Sequence, residues 1–262
     1  ISVAGGIAST CFRIKGGNVQ IAEKAAEAAQ ATVVHGTAKV VKRAAGKYEV
    51  SYDDTTGEWM THGSAPGPAK KVQTIEADVV LLAHHLAAGQ LKVDGIQAEV
   101  KPGPLRRCCT HFLRGSLKGS AFGLAAGEPV PLEILTVGDK TPFYSIGVQA
   151  PVDASKAEMT KLLLALRDGA TGTFKVFAPA QLSEKDLSEF FDVVPGSLKV
   201  TDWLAYPAYT SPAEFMPFVL APGLIYLNAV ETIGSAMEMS AIAARNAVNL
   251  VREWHPRGRR GA

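Results

Sequence analysis

The residues with the clearest chemical potential stand where a predicted strand meets the last predicted helix, at Gly234-Ser235. A helix N-terminus exposes unpaired amides and a partial positive charge, which suit a phosphate or an electron-rich carbonyl. Gly234 would let a ligand approach the backbone, and Ser235 could cap the helix or donate a hydrogen bond. The competing interpretation, which the pattern alone favours, is an ordinary capped helix of the core.

Other reactive side chains form no recognisable catalytic constellation. His84 and His85 are adjacent and lack a nearby cysteine or second histidine cluster, so we predict no metal site. Cys108 and Cys109 are neighbours on a predicted strand and should point to opposite faces as buried thiols. The sequence contains no G-x-S-x-G motif and no G-x-G-x-x-G motif after a strand.

A stretch rich in aromatic residues and proline spans positions 203–226. The four prolines indicate an extended or turning backbone rather than a helix. Aromatic rings supply large apolar area with a defined shape, so the stretch could line a long apolar pocket. The safer alternative is that its rings fill the core. Its aromatic members are Trp203, Tyr206, Tyr209, Phe215, Phe218 and Tyr226.

Elements with distinct periodicities must position these residues. Near the end of the chain, Ile225-Tyr226-Leu227 predicts a buried strand, and positions 236–254 predict a long helix. The first turns of this helix are apolar nearly all round, so we expect it to be buried. Towards the beginning we predict a helix over 19–30, capped by Asn18. It is followed by strands over 32–42 and 48–52, a loop over 55–71, and a strand over 78–84 covered on both faces.

The middle of the chain predicts a sheet that forms a second, substrate-facing layer. An amphipathic helix is expected over 156–167, and Ser183 with Asp186 predicts a capping box at the start of a short helix. The predicted strands are 106–117, 132–137, 143–148 and 173–177.

Composition bounds the class of protein. The chain has 262 residues, of which 47% are apolar and 20% charged, with a formal net charge of +2. These values suit a globular protein with its own core and argue against disorder, a coiled coil or a nucleic-acid wrapper. No apolar run is long enough to span a membrane. The opening at Ile1 shows no export signal, and we expect that further residues precede it.

The C-terminal third resembles the end of the prenylcysteine oxidase family, also called farnesylcysteine lyases. The similarity is most specific in DWLAYPAY at 202–209 and IYLNAVETIGSAMEMSAIAARNAV at 225–248. It continues more weakly in GGN at 16–18, VVHGTAKVV at 33–41, ADVVLLA at 77–83 and THFLRGSL at 110–117.

The resemblance implies a mixed α/β protein of the α+β class, the remainder of a two-domain, amine-oxidase-like FAD flavoprotein. In this interpretation residues 1–84 belong to a partial FAD-binding domain, and residues 85–222 form a β-rich, mixed-sheet substrate domain. Residues 223–256 return to the FAD-binding domain, and residues 257–262 form a tail.

FAD is the cofactor that the resemblance implies. By resemblance, Glu231, Gly234, Ser235, Ala236 and Met237 would lie against the ribityl chain and the pyrimidine edge of the isoalloxazine. Helix-start amides there would stabilise the negative charge that develops on flavin reduction.

Two further contacts with FAD are implied by resemblance. Val34, on a strand, would offer its backbone to the adenine, and Ala83 would approach the dinucleotide from the other side. Related enzymes tend to follow that alanine with Thr or Ser and Pro, whereas this chain has His84-His85.

The implied reaction is oxidative cleavage of the thioether of farnesyl- or geranylgeranyl-cysteine. A hydride leaves the allylic carbon, water adds, and the hemithioacetal collapses to cysteine and a prenyl aldehyde, while dioxygen is reduced to hydrogen peroxide. Such chemistry needs an apolar, water-excluding pocket more than acid–base groups, and Trp203 and Tyr206 are the predicted pocket residues. Peripheral membrane association and a lysosomal or vacuolar location are implied only by resemblance, no nucleic-acid partner is expected, and the oligomeric state is left undetermined.

The main departure from the family pattern is that no Gly-rich dinucleotide-binding turn precedes the first helix. We therefore expect a fragment or truncated product that binds FAD poorly. Two alternatives stay open: a prenyl-binding or interaction module without the cofactor, and another amine-oxidase-like flavoprotein.

Overall fold

The computed structural model describes residues 14–54, 71–86, 91–96, 103–137, 140–209 and 215–254. Most of the predicted loop over 55–71 and the C-terminal tail over 257–262 lie outside these residues. The chain divides into two compact units. The described residues of Val33–Arg106 and Leu204–Ala262 form the first unit, and those of Cys11–Thr32 and Arg107–Trp203 form the second.

The first unit contains two small sheets and the last helix. One sheet has the order β3-β2-β1-β5, in which β1, β2 and β3 form an antiparallel meander and β5 joins β1 in parallel. The other has the order β12-β13-β4, with β13 parallel to β4. The elements are β1 (Gly36–Ala44), β2 (Lys47–Asp54), β3 (Val72–Ala77), β4 (Val80–Leu82), β5 (Lys92–Asp94), β12 (Val219–Ala221), β13 (Leu224–Tyr226), a 3-10 helix (Leu227–Thr232) and α4 (Met237–Trp254).

Strand β13 forms the centre of this unit's core. Leu224, Ile225 and Tyr226 are all buried, as predicted for the strand that precedes the last helix. The hydroxyl of the buried Tyr48 donates to the carbonyl of Pro222 at 2.7 Å. Gly223 has a φ of +84°, and a Cβ there would lie 2.8 Å from the Asp78 carbonyl oxygen, so only glycine fits. The turn between β12 and β13 is therefore fixed by both conformation and space.

The second unit is built on a six-stranded sheet. Strands follow the order β10-β6-β9-β8-β7, and β11 pairs with β6. The division between the two units falls within β6 and β11. The elements are α1 (Val19–Ala28), β6 (Leu105–Leu117), a 3-10 helix (Gly119–Phe122), β7 (Glu133–Leu135), β8 (Ser145–Gln149), α2 (Lys156–Arg167), β9 (Gly172–Ala178), α3 (Glu184–Leu187), β10 (Phe191–Val193) and β11 (Lys199–Pro207).

One face of this sheet is buried almost completely. Burial alternates strictly along β9, where Phe174, Val176 and Ala178 are buried and the residues between them are only partly covered. Leu166 of α2 packs into the same cluster. The sequence prediction of helix 156–167 is confirmed at both ends. The predicted β-rich middle of the chain is confirmed, although β7 and β8 are shorter or shifted by about two residues.

Two helix starts carry the same capping motif. Ser155 and Glu158 form a capping box at α2, and Ser183 and Asp186 form the predicted one at α3. The predicted cap of α1 is wrong, because Asn18 has helical dihedrals and its side chain accepts from the Ile14 amide instead. An asparagine that folds back on the preceding turn cannot also reach the amides that follow it.

The predicted burial of the last helix is also wrong among the described residues. Helix α4 begins where expected, but only Ala243 and Ala247 along it are buried, whereas Ile242 is 50% exposed. Helix α1 has no buried residue. The strand predicted over 78–84 shortens to β4, and Leu81 is exposed because one face of this strand is uncovered.

Helices and mixed sheets together confirm a mixed α+β protein. The two-domain, amine-oxidase-like arrangement and the predicted domain roles stay predictions. Among the residues that the structure describes, no helix combines the length and the apolarity that crossing a membrane requires.

Candidate functional site

A small cleft in the first unit lies beside the start of α4. Its volume is about 170 Å³, below the roughly 300–1,000 Å³ of a complete small-molecule site, so it could hold only part of a large ligand. We call it the helix-start cleft. It is lined by Ala83, Leu227, Asn228, Val230, Glu231 and Ser240.

The backbone that leads into α4 is open to an approaching group. Among the described residues, a Cβ added at Gly234 would meet no atom within 4 Å, and the glycine does not have the left-handed conformation that would demand it. Within the described part of the chain, nothing accepts a hydrogen bond from the amides of Ala236 or Met237. A glycine that neither conformation nor packing requires, next to unpaired amides, fits a cradle for a ligand.

One amide at this helix start is already paired. The Ser235 amide donates to the hydroxyl of Tyr209 at 2.9 Å. The Ser235 hydroxyl lies 3.5 Å from Oε1 of Glu231, a long contact at the edge of hydrogen-bonding range. Tyr209 thus covers the first donor, while the donors that follow it stay open.

Burial keeps two ionisable side chains near the cleft, those of His85 and Tyr226, uncharged at neutral pH. Loss of hydration lowers the pKa of His85, and the Glu231 carboxylate only partly opposes this effect. Burial also raises the pKa of Tyr226, whose hydroxyl lies 3.5 Å from the Leu86 amide. Neutral His85 and Tyr226 leave the Glu231 carboxylate and the helix start as the dominant charges near the cleft.

The structure brings together some of the predicted cofactor residues and not others. Ala83 and Glu231 line the same cleft, although 148 positions separate them in the chain, and Gly234 to Met237 form the link into α4. Val34 is not on a strand as predicted. It precedes β1 in irregular backbone, is 45% exposed, and does not line the cleft. The role of these residues in binding FAD stays a prediction.

The second unit presents a partly exposed sheet face opposite its core. Trp203 of β11 is on this face, where its indole N–H donates to the hydroxyl of Thr110 at 2.9 Å. Thr110 is almost fully buried, whereas the Trp203 ring is 37% exposed. The hydrogen bond therefore fixes a large aromatic ring at the surface, as a pocket wall requires. We call this the open sheet face; its other members include Phe112, Glu133, Leu135, Gly147, Lys175 and Phe177.

An ion pair fixes β11 on β6 next to this indole. The Arg107 guanidinium pairs through two nitrogens with the carboxylate of Asp202, the residue before Trp203. This bond holds the pKa of Asp202 below its usual range. Burial, helped by the Asp202 charge, raises the pKa of the Cys109 thiol. Cys109 is therefore an unreactive buried thiol, and the predicted burial of Cys108 and Cys109 is confirmed.

The aromatic stretch divides between pocket-like and core positions. Tyr206 stacks on Tyr209 with ring centroids 6.2 Å apart and planes inclined by 18°. Through Tyr209 it is linked to the amide of Ser235. Tyr226 is buried, whereas Phe215 is 68% exposed, so the alternative that these rings simply fill the core is wrong for most of them.

The sequence interpretation gave no individual role to several residues that complete these sites. Tyr209, Asn228 and Ser240 belong to the helix start or its cleft, and Thr110 orients Trp203. Tyr209 and Thr110 lie inside the quoted similarity segments, and Tyr209 also belongs to the predicted aromatic stretch, but neither signal indicates the hydrogen bonds that these residues form. Over the described ranges, no three His, Cys, Asp or Glu side chains come together as a metal-ligand set.

Comparison with known proteins gives consistent relatives. The chain is 33% identical over 149 residues to the farnesylcysteine lyase of Arabidopsis thaliana, an alignment that covers 56% of this chain and 27% of that protein. It is 32% identical over 143 residues to prenylcysteine oxidase 1 of Bos taurus, covering 54% and 27% respectively. It is 24% identical over 263 aligned positions to prenylcysteine oxidase 1-like of Mus musculus, covering 95% and 49%.

The chain thus spans about half the length, or less, of the curated relatives that it matches. The family model described as prenylcysteine lyase matches residues 1–259, nearly the whole chain. This match confirms the resemblance inferred from the C-terminal segments. The chain belongs to the prenylcysteine lyase family.

Proposed function

We propose that this chain is part of an FAD-dependent oxidoreductase that cleaves the thioether of prenylcysteine. The observation that carries the proposal is the start of α4, where the open Gly234 and the unpaired amides of Ala236 and Met237 follow Glu231, which lines the helix-start cleft. Family membership and the names of the relatives, farnesylcysteine lyase and prenylcysteine oxidase, support the substrate class.

The helix start would bind the electron-rich edge of the cofactor. The amides of Ala236 and Met237 would donate to oxygen or nitrogen atoms there, and the partial positive charge of α4 would favour negative charge that develops beside them. Glu231 would accept hydrogen bonds from hydroxyl groups of the cofactor's chain. Bound FAD would supply the acceptor for a hydride from the substrate carbon attached to sulfur.

The chain's other residues would bind and shield the substrate. The net reaction consumes water and dioxygen and yields cysteine, a prenyl aldehyde and hydrogen peroxide. Trp203, held by Thr110, offers a fixed apolar ring to an isoprenoid chain. Tyr206 and Tyr209 form a second aromatic surface beside the helix start. Neither role requires a side chain to act as a strong acid or base.

Substituting Gly234 with valine tests the cofactor site. In the longer enzyme of which this chain is proposed to be a part, we expect Gly234→Val to lose most of its flavin, because the added methyl groups fill the space through which the cofactor would reach the backbone. Gly103→Val is the matched control, since Gly103 also has open space and is not left-handed. Flavin absorbance after gel filtration measures retention, and circular dichroism checks the fold. Equal flavin content in both variants, or no farnesylcysteine-dependent peroxide from the purified protein with FAD, would refute the proposal.

One observation favours a second candidate function, a prenyl-binding module without the cofactor. The Tyr209 hydroxyl already accepts from the Ser235 amide, which is one of the donors that a flavin would use. A module of this kind would bind farnesylcysteine in equilibrium dialysis but take up no FAD. Tyr209→Phe separates the two functions, because freeing the amide should strengthen FAD binding only if the helix start is a cofactor site.

A further inference from the structure

On the open sheet face, the oppositely charged residues Lys175 and Glu133 lie on either side of Gly147, which has no side chain. Register places Phe112 opposite Lys175, Lys175 opposite Gly147, and Gly147 opposite Glu133, on strands β6, β9, β8 and β7. All four residues therefore lie in one row across the same face. Lys175 and Glu133 are two strands apart, about 10 Å between Cα atoms at normal strand spacing.

Gly147 places no side chain between these charges. Among the described residues, a Cβ built on it would meet no atom within 4 Å, and its φ is not left-handed. Neither conformation nor packing in the described residues therefore explains a glycine at the centre of a sheet, where it costs stability. Close approach of a ligand to the backbone does explain it.

Neither Lys175 nor Glu133 has an oppositely charged partner among the residues that the structure describes. Across the described ranges of the chain, Lys175 and Glu133 form no ion pair. The Lys175 ammonium instead lies 4.6 Å from the centre of the Phe177 ring, on the same face. Lys175 is half-buried, which reduces the screening of its charge by water.

The neighbouring row on this face is mostly apolar. Thr110 lies opposite Phe177, Phe177 opposite Ser145, and Ser145 opposite Leu135. Trp203 extends the row at the β11 end through its bond to Thr110. The row crosses five strands, about 19 Å at normal strand spacing. Leu135 at its other end is 62% exposed, so the row could cover a long aliphatic chain.

We propose that the open sheet face binds an α-amino acid that carries a long apolar substituent on its side chain. The carboxylate binds Lys175, the ammonium binds Glu133, the α-carbon lies over Gly147, and the substituent lies along the row from Phe177 to Leu135. Charge complementarity favours this occupant, because a cation and an anion on either side of a glycine match the carboxylate and the ammonium of a zwitterion. This inference rests on the proposed function. It specifies which side chains would bind the carboxylate and the ammonium of the cysteine in prenylcysteine.

Binding of blocked analogues tests the assignment, since it needs no turnover. S-farnesylcysteine, its methyl ester and its N-acetyl derivative are titrated by calorimetry. We expect the unmodified compound to bind roughly fivefold more tightly than either derivative, as for a partly exposed ion pair. The difference should shrink at high salt.

Variants then assign each charge. Lys175→Met should abolish the preference over the methyl ester alone, and Lys175→Arg should keep it. Glu133→Gln should abolish the preference over the N-acetyl compound alone. Lys161→Met and Glu189→Gln are matched controls at exposed positions away from this face, and both preferences should persist in them.

The outcomes distinguish this inference from the proposed function. If Lys175→Met and Glu133→Gln keep the wild-type preferences while the protein oxidises farnesylcysteine, the inference is wrong and the proposed function stands. If the preferences change as expected but no peroxide forms with FAD, the zwitterion site stands and the proposed function is wrong. If the wild type binds none of the three compounds, both are refuted.

Discussion

The six-stranded sheet of the second unit and helix α4 of the first unit both carry long apolar patterns, but they differ in what covers them. Along β9, Phe174 and Val176 are at most 1% exposed. Along α4, Met237 is 62% exposed and only two residues are buried. An apolar pattern thus identifies an element reliably, whereas the surface that packs against it is a separate question. The apolar face of the sheet is covered by its own core, whereas the start of α4 borders an open cleft.

The largest expected change in the free energy of unfolding comes from a substitution in the core of the six-stranded sheet. Phe174 packs with its ring centroid 5.1 Å from that of Phe191. Phe174→Ala should lower the free energy of unfolding by about 3–5 kcal/mol, because it removes a buried ring and leaves a cavity. Ile242→Ala on α4 should change it by only about 0.5 kcal/mol, since this side chain is half exposed. Urea denaturation measures both; equal losses would show that α4 is packed as tightly as the sheet.

An intermediate effect concerns the buried His111 in the same core. Nε2 accepts from the Leu182 amide at 2.8 Å, so the proton is on Nδ1, which lies 3.3 Å from the Val176 carbonyl oxygen. Burial lowers the pKa of this ring below 6.5. His111→Leu should cost about 1–3 kcal/mol at neutral pH, because it leaves the Leu182 amide unsatisfied.

The pH dependence of stability sharpens this prediction. In the folded protein His111 stays neutral, whereas in the unfolded chain it takes up a proton near pH 6.5. Its stabilising contribution is therefore complete above that pH and is lost as the pH falls towards the lowered pKa. Thermal melts across this range should show a shallower decline for His111→Leu than for the wild type. An unchanged decline would mean that His111 does not contribute to it.

The smallest expected change in stability concerns the residues that precede two helices, α2 and α1. The Ser155 hydroxyl accepts from the Glu158 amide at 3.3 Å, whereas Asn18 makes no capping bond to α1. Ser155→Ala should therefore cost about 1 kcal/mol, because it leaves an amide of the first turn of α2 without its partner. Asn18→Ala should have less effect on α1, since no cap is lost. Denaturant midpoints measure the difference; a reversed order would contradict the assigned caps.

Local signals predicted the elements well. The bounds of α2, the capping box at α3, the start of α4 and the buried strand β13 all follow from periodicity and from residues a few positions apart. The prediction that Asn18 caps α1 is wrong. The Asn18 side chain accepts a hydrogen bond from the Ile14 amide instead, and the sequence pattern is the same for both bonds. The predicted burial of α4 is wrong, because apolar periodicity does not specify the surface that packs against a helix.

The sites were less predictable than the elements. Glu231 and Gly234 to Met237 came from resemblance and do lie at one helix start, but Val34 does not join the cleft. The hydrogen-bonding roles of Tyr209 and Thr110 were missed, because each acts through one hydrogen bond to a residue that is 26 or 93 positions away. No spacing rule covers such distances.

The sequence by itself determined the family, the mixed α+β class and the position of the helix whose start is the candidate cofactor site. These depend on short segments, whose patterns are set by residues a turn or a pleat apart. Only the tertiary structure decided that Ala83 meets Glu231 at one cleft and that Lys175, Gly147 and Glu133 share one row. The physical reason is that strand pairing and register join residues that are distant in the chain, and register emerges only when the whole sheet packs.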